Sequence, residues 1–205
     1  MATLAYLEDQ VRVKMNLAAT DTPPTDGEID KWIIDGQSEV VNLVVDDALW
    51  PLVEVSLANG GNLTGQTIPA DTVRIISVSY KPGGGAVTYA QPVSPAMLDQ
   101  VTDGNNNMFT TSGKYWAIKD NKIELSSAAL SEANSFEVQY IKEPQTTRAT
   151  ECDLPLFLEP LVVDYAVSQA KQQIEEYGDA QAIMQGFYQK IGAINSRYAR
   201  RHKLT

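Results

Sequence analysis

The chain has 205 residues, 43% of them hydrophobic and 20% charged, with a formal net charge of −10; this suits a water-soluble globular protein of one large or two small domains and excludes collagen-like or wholly disordered chains. No apolar run reaches the roughly 20 residues that cross a bilayer, and the N-terminus has neither the basic start nor the apolar centre of a signal peptide. A single cysteine, Cys152, cannot close an internal disulfide; it reads as a buried inert thiol in a reducing cytoplasm.

Leu4, Leu7, Val11 and Met15 recur at helical spacing, so residues 3–16 predict a short amphipathic helix. A loop with two prolines follows, to Pro24. Thr25-Asp-Gly-Glu28 is a capping-box signature, in which the Thr25 hydroxyl takes the Glu28 N–H and the Glu28 carboxylate reaches back. Behind it Ile29, Trp32, Ile33, Val40, Leu43 and Val44 form an apolar stripe ending near Asp46–Ala48. Gly36 lies on that stripe, where it costs about 1 kcal/mol against alanine and suits either a close helix–helix approach or plain tolerance.

The period then shifts from 3.6 towards 2. Leu52–Leu57 is β-like, and Asn59-Gly60-Gly61-Asn62 signals a turn. Thr72–Tyr80 is rich in β-branched residues and stops at Pro82-Gly-Gly-Gly. Val87-Thr-Tyr gives a short strand. Ser94 caps one or two helical turns opened by Pro95. Residues 114–118 and 122–125 pair across an Asp120-Asn121 turn, and Ser135–Ile141 alternates cleanly before ending at Pro144. Trp32, Trp50, Trp116 and Tyr115 sit in apolar patterns and read as core, although alternation turns either Trp116 or Tyr115 outward.

From Leu154 onward the period is helical again. Leu158, Leu161, Val162, Tyr165, Ala166 and Ile174 share one face, and Ile183, Phe187, Ile191, Ile194 and Tyr198 repeat the pattern. Glu151 and Asp153 suit the cap of the first of these helices. Gly178 suits a left-handed helix end and Asp179 the cap of the next helix, which predicts an antiparallel helical hairpin. The chain ends Arg197-Tyr-Ala-Arg-Arg-His-Lys-Leu-Thr, so residues 197–203 hold four of the sixteen Lys and Arg and no acid. The remainder is therefore strongly acidic, which argues against a broad nucleic-acid-binding surface. The fold expected is α+β: a helical bundle from 1–50 and 145–205, two N-terminal helices against the hairpin, with a small antiparallel β domain, 51–144, inserted.

Catalytic chemistry leaves little trace. The one histidine, His202, lies in the basic tail and is a poor general base. Zinc sites built from histidine or cysteine are excluded, and no Walker A or dinucleotide fingerprint occurs. Asp46 and Asp47, with Asp35 and Glu39, read as a solvated helix end rather than a cation site. No catalytic, cofactor-binding or metal-binding residue is assigned.

This order of parts resembles the head-to-tail connector (adaptor) proteins of tailed bacteriophages. The likeness runs through Ile68–Tyr80, the Tyr115–Leu125 hairpin, Phe136–Pro144, Leu154-Pro, Leu161–Val167 and Asp179-Ala-Gln-Ala, and spans about residues 25–200. The resemblance implies a dodecameric homo-oligomeric ring in the virion neck, assembled in the host cytoplasm. Such a ring sits between the portal protein and a tail or nozzle protein, and DNA passes through its channel without specific binding. It assigns portal contact to Arg197, Tyr198, Arg200, Arg201 and Lys203, and implies no cofactor, no membrane and no enzymatic activity. Two other readings stay open: another minor virion protein such as a tail terminator or tail-tube-associated protein, and a hydrolase or binding module with a carboxylate site in the β unit.

Overall fold

Most amphipathic segments bury their apolar side in the computed structural model, which describes residues 3–17, 24–59, 65–82, 85–102, 113–126, 129, 133–144 and 154–202; on β1, Val55 and Leu57 are instead exposed. In chain order the elements are α1 (Leu4–Met15), α2 (Asp26–Leu43), β1 (Val53–Asn59), β2 (Gln66–Thr67), β3 (Thr72–Pro82), β4 (Thr88–Pro92), α3 (Pro95–Thr102), β5 (Tyr115–Lys119), β6 (Lys122–Leu125), β7 (Ala133–Lys142), α4 (Glu159–Gln173) and α5 (Tyr177–His202). Helices at both ends flank a mixed sheet, the α+β class expected. By its internal contacts the chain divides into a helical unit, Met1–Leu52 with Glu143–Thr205, and a β unit, Val53–Lys142.

In the helical unit, α4 is the central element. It packs against α1, α2 and α5, and Leu161, Val162, Val163, Ala166, Val167 and Ala170 are all buried. Leu4, Leu7, Val11 and Met15 of α1 and Ile29, Ile33, Val40 and Val41 of α2 supply the opposing surface. The capping box opens α2 as the sequence predicts: the Glu28 N–H donates to Thr25 Oγ1 at 3.3 Å and the Thr25 N–H to Glu28 Oε2 at 2.8 Å. Gly36 serves a close approach rather than tolerance. A Cβ there would lie 3.1 Å from the Tyr165 ring and 3.3 Å from the Val162 carbonyl oxygen on α4.

Two details of this unit depart from expectation. α2 stops at Leu43 instead of running to Asp46–Ala48, because Val44 is extended and Asn195 of α5 caps the end: its Nδ2 donates to the Leu43 carbonyl at 2.9 Å, and its Oδ1 accepts the Val45 N–H at 3.1 Å. Asp46–Ala48 and Trp50–Leu52 are instead short 3-10 turns. Those turns bury Ala48, Leu49 and Leu52 and rotate Trp50 into solvent, 68% exposed, so Trp50 is not a core residue. Trp32 is half-buried and Trp116 buried.

The β unit holds a seven-stranded sheet in the order β1-β7-β3-β4-β5-β6-β2. Its inward residues form one core: Val78, Tyr80, Ala90, Trp116, Ile123, Leu125, Phe136 and Val138. On β7 the alternation from Phe136 through Tyr140 places Phe136, Val138 and Tyr140 inside. Asp120 and Asn121 both take left-handed backbone, φ 49° and 59°, which joins β5 to β6 in a two-residue hairpin. The amide of Gln66 on β2 donates to the Ser56 hydroxyl on β1, so the sheet curls until its edge strands meet. One pairing is not the antiparallel one expected: β4 and β5 run parallel, Gln91 opposite Tyr115. The connection through α3 is a crossover that returns the chain in the same direction, which a hairpin cannot do. Ser94 caps α3 through the Met97 N–H at 3.3 Å. The expected turn residues Gly60, Gly61 and Asn62, the loop at 103–112, Cys152, and the expected caps Glu151 and Asp153 lie outside the described residues.

Candidate functional site: the helical hairpin and its basic end

The hairpin forms because two apolar stripes meet. On α5, Ala180, Phe187 and Ile191 are buried, and Ile183, Ile194 and Tyr198 are half-buried. Phe187 packs on Tyr165 with ring centroids 5.9 Å apart. Burial, then Glu39 and Asp35, push the Tyr165 hydroxyl above its ordinary pKa. Of the stripe expected on the first arm, Ile174 departs: it is the last residue of the helix end and 38% exposed.

The elbow is built differently from expectation. Glu175, not Gly178, takes the left-handed position, at φ 64°. Its N–H donates to the Gln172 carbonyl at 3.1 Å, and the next, from Glu176, donates to the Lys171 carbonyl at 2.9 Å. These two bonds are the Schellman termination. Gly178 and Asp179 consequently fall inside the first turn of α5, where the Asp179 carboxylate complements the positive helix pole. Lys171 ties the elbow by pairing with Glu176 and, at 3.8 Å, with Asp179. Leu158 opens α4 without a side-chain cap.

Polar groups inside the bundle set the helix register. Asp164, nearly buried, accepts from Lys14 of α1 at 2.6 Å and from Lys190 of α5. Arg12 is buried between Glu8, 3.5 Å away, and Asp26 at the start of α2. The sequence carried one usable signal for this: Asp164 interrupts the apolar run Leu161–Val167, and a lone acid there needs a cationic partner.

Of the residues assigned to portal contact, Arg197 is exposed on α5. Tyr198 is half-buried, its ring stacked on Phe157 at 6.5 Å and 24°. Arg200 and Arg201 continue the same helix, which ends at His202; their side chains and Lys203 lie outside the description. Tyr198 therefore fastens the end of α5 to the segment before α4, and the Arg197 beside it is exposed. Beside that segment lies a groove of about 280 Å³ between α1 and the start of α4. Among the described residues no group of three or more His, Cys, Asp or Glu side chains could hold a metal ion, and no helix is long and apolar enough to cross a membrane.

Comparison with curated proteins finds no match. The family described as SU10 adaptor protein matches residues 2–204, essentially from end to end, and the chain belongs to that family of tailed-phage adaptors.

Proposed function

We propose that this adaptor is a structural subunit of the phage neck, whose copies join side by side into a ring beneath the portal and link the capsid to the tail. The family match along nearly the whole chain carries the reading. Two features agree with it. The hairpin is anchored by α4, yet presents a basic helix end with Arg197 exposed. The body is acidic, and an acidic channel wall repels phosphate and keeps passing DNA from adhering. The subunit works by burying surface, with no catalytic step; a ring joined head to tail buries two unlike faces on every copy.

The test is the mass of the purified protein, alone and mixed with portal rings of the same phage, by native mass spectrometry. A discrete multiple of the subunit mass on the portal supports the reading. A chain that never associates with itself or with portal contradicts it.

A further inference from the structure

We propose that the outer face of the sheet formed by β1, β7, β3 and β4 is the surface on which a second copy of this chain packs. This deepens the reading of side-by-side copies and rests on it. The face follows from register. Phe136, Val138 and Tyr140 of β7 point inward, so Glu137 and Gln139 between them point outward. Residues directly opposite each other on paired strands share a face. Leu57, Glu137, Ser79 and Tyr89 therefore form one row across four strands, and Val55, Gln139 and Ser77 form a second row beside it. Ser56, between Val55 and Leu57, faces the other way and accepts from Gln66. Ile76 follows core-facing Ile75 at a register shift in β3 and turns outward next to Ser77. On this face Tyr89 is 65% exposed, Val55 and Leu57 53% each, and Ile76 36%. A single exposed apolar side chain is ordinary, but four on one face of one sheet mark an interaction surface.

Charge selects the occupant. Within these rows Glu137 alone is charged, and it pairs with Lys81 at 3.8 Å. The Ser77 hydroxyl donates to the Gln139 side-chain oxygen at 3.0 Å. The rows are thus close to neutral, on a chain whose net charge is −10. Copies of an acidic chain repel one another where their acids project, so they come together across surface without net charge. Nucleic acid needs clustered cations, which these rows do not carry. A basic partner is held by the acidic surfaces of the chain rather than by this one. β1 is also an edge of the sheet, so a neighbouring copy reaches Val55 and Leu57 without displacing a strand.

Cross-linking identifies the occupant. Photoreactive p-benzoylphenylalanine is placed in the full chain instead of Leu57 or of Tyr89, and the protein is irradiated alone and with portal rings of the same phage. Covalent dimers of this chain are expected from both positions. Assembly, alone and on those rings, is followed by native mass spectrometry across a concentration series. Leu57→Ser and Tyr89→Ser alter exposed side chains, and unchanged circular dichroism and melting temperature verify the fold. Each is expected to raise the concentration needed for assembly about tenfold or more, the worth of one buried apolar side chain. Leu57→Ile is expected to assemble like the parent. Where the parent assembles, cross-links to portal alone, no cross-links, or serine variants that assemble like the parent overturn this face and leave the ring reading standing. A parent that assembles neither alone nor on portal rings overturns that reading and this inference together.

Discussion

Asp164 shows how one side chain fixes the arrangement of three helices. Its carboxylate is about 10% exposed, whereas its partners Lys14 and Lys190 are 43% and 56% exposed at the side chain. Removing the acid lets both lysines turn to water, so the loss is smaller than for a fully buried pair. Asp164→Ala is expected to cost about 1–2 kcal/mol in denaturant unfolding; an unchanged midpoint would show that packing alone sets the register. Glu175 presents the opposite case. A side chain at φ 64° carries a steric cost that glycine avoids. Glu175→Gly is expected to raise stability by about 0.5–1 kcal/mol, read as a higher thermal midpoint. A lower midpoint would mean that the Glu175 side chain makes a contact worth more than its strain.

Among the elements, α2 illustrates how local and distant forces divide the work. Its start is mainly local: the Thr25 backbone and hydroxyl, and then Gln173 of α4, 145 residues away, hold the Glu28 carboxyl below its ordinary pKa of 4.5. The folded state thus favours the ionised form, so the stabilisation is present above pH 4.5 and is lost as pH falls through the lowered folded value. The melting-temperature difference between the parent and Glu28→Gln should shrink below pH 4.5; a difference constant across that range would contradict the assignment. Its middle depends on α4. Gly36→Leu would drive a side chain into the Tyr165 ring and the Val162 carbonyl, and is expected to destabilise by about 1–3 kcal/mol. Its end is set by Asn195, 152 residues away in sequence.

At the scale of the whole molecule, charge is segregated: a body carrying nearly all the acids, and a cationic end on the last helix. If that end docks on the portal, attachment weakens as salt rises, since exposed charges are screened within about 10 Å at 0.1 M. Removing residues 199–205 retains the Tyr198–Phe157 stack, so the melting temperature should stay near that of the parent while portal attachment is lost. Normal attachment by this truncated chain would remove the basic end from the interface. A cut at residue 197 is less clean, because it also deletes the stacked ring.

The helices, the Thr25–Glu28 capping box, the Asp120-Asn121 hairpin and the alternation on β7 were legible because each depends on neighbours within about one turn, where side-chain spacing alone decides which groups meet. The cationic character of the last residues was legible for the same reason, since charge is a property of composition. The exposure of Trp50, the arrest of α2 at Leu43 and the left-handed Glu175 in place of Gly178 were not. Neither were the convergence of Lys14 and Lys190 on Asp164, or the parallel β4–β5 pair. These depend on groups brought together from distant parts of the chain, as when Asn195 supplies the hydrogen bonds that end α2. The sequence by itself determined where the helices and the longer strands form and which face is apolar, but not the short strand β2 or the two 3-10 turns before β1. Tertiary structure alone decided where elements stop and which polar groups are paired, because a buried donor or acceptor must be satisfied by whatever the fold places beside it.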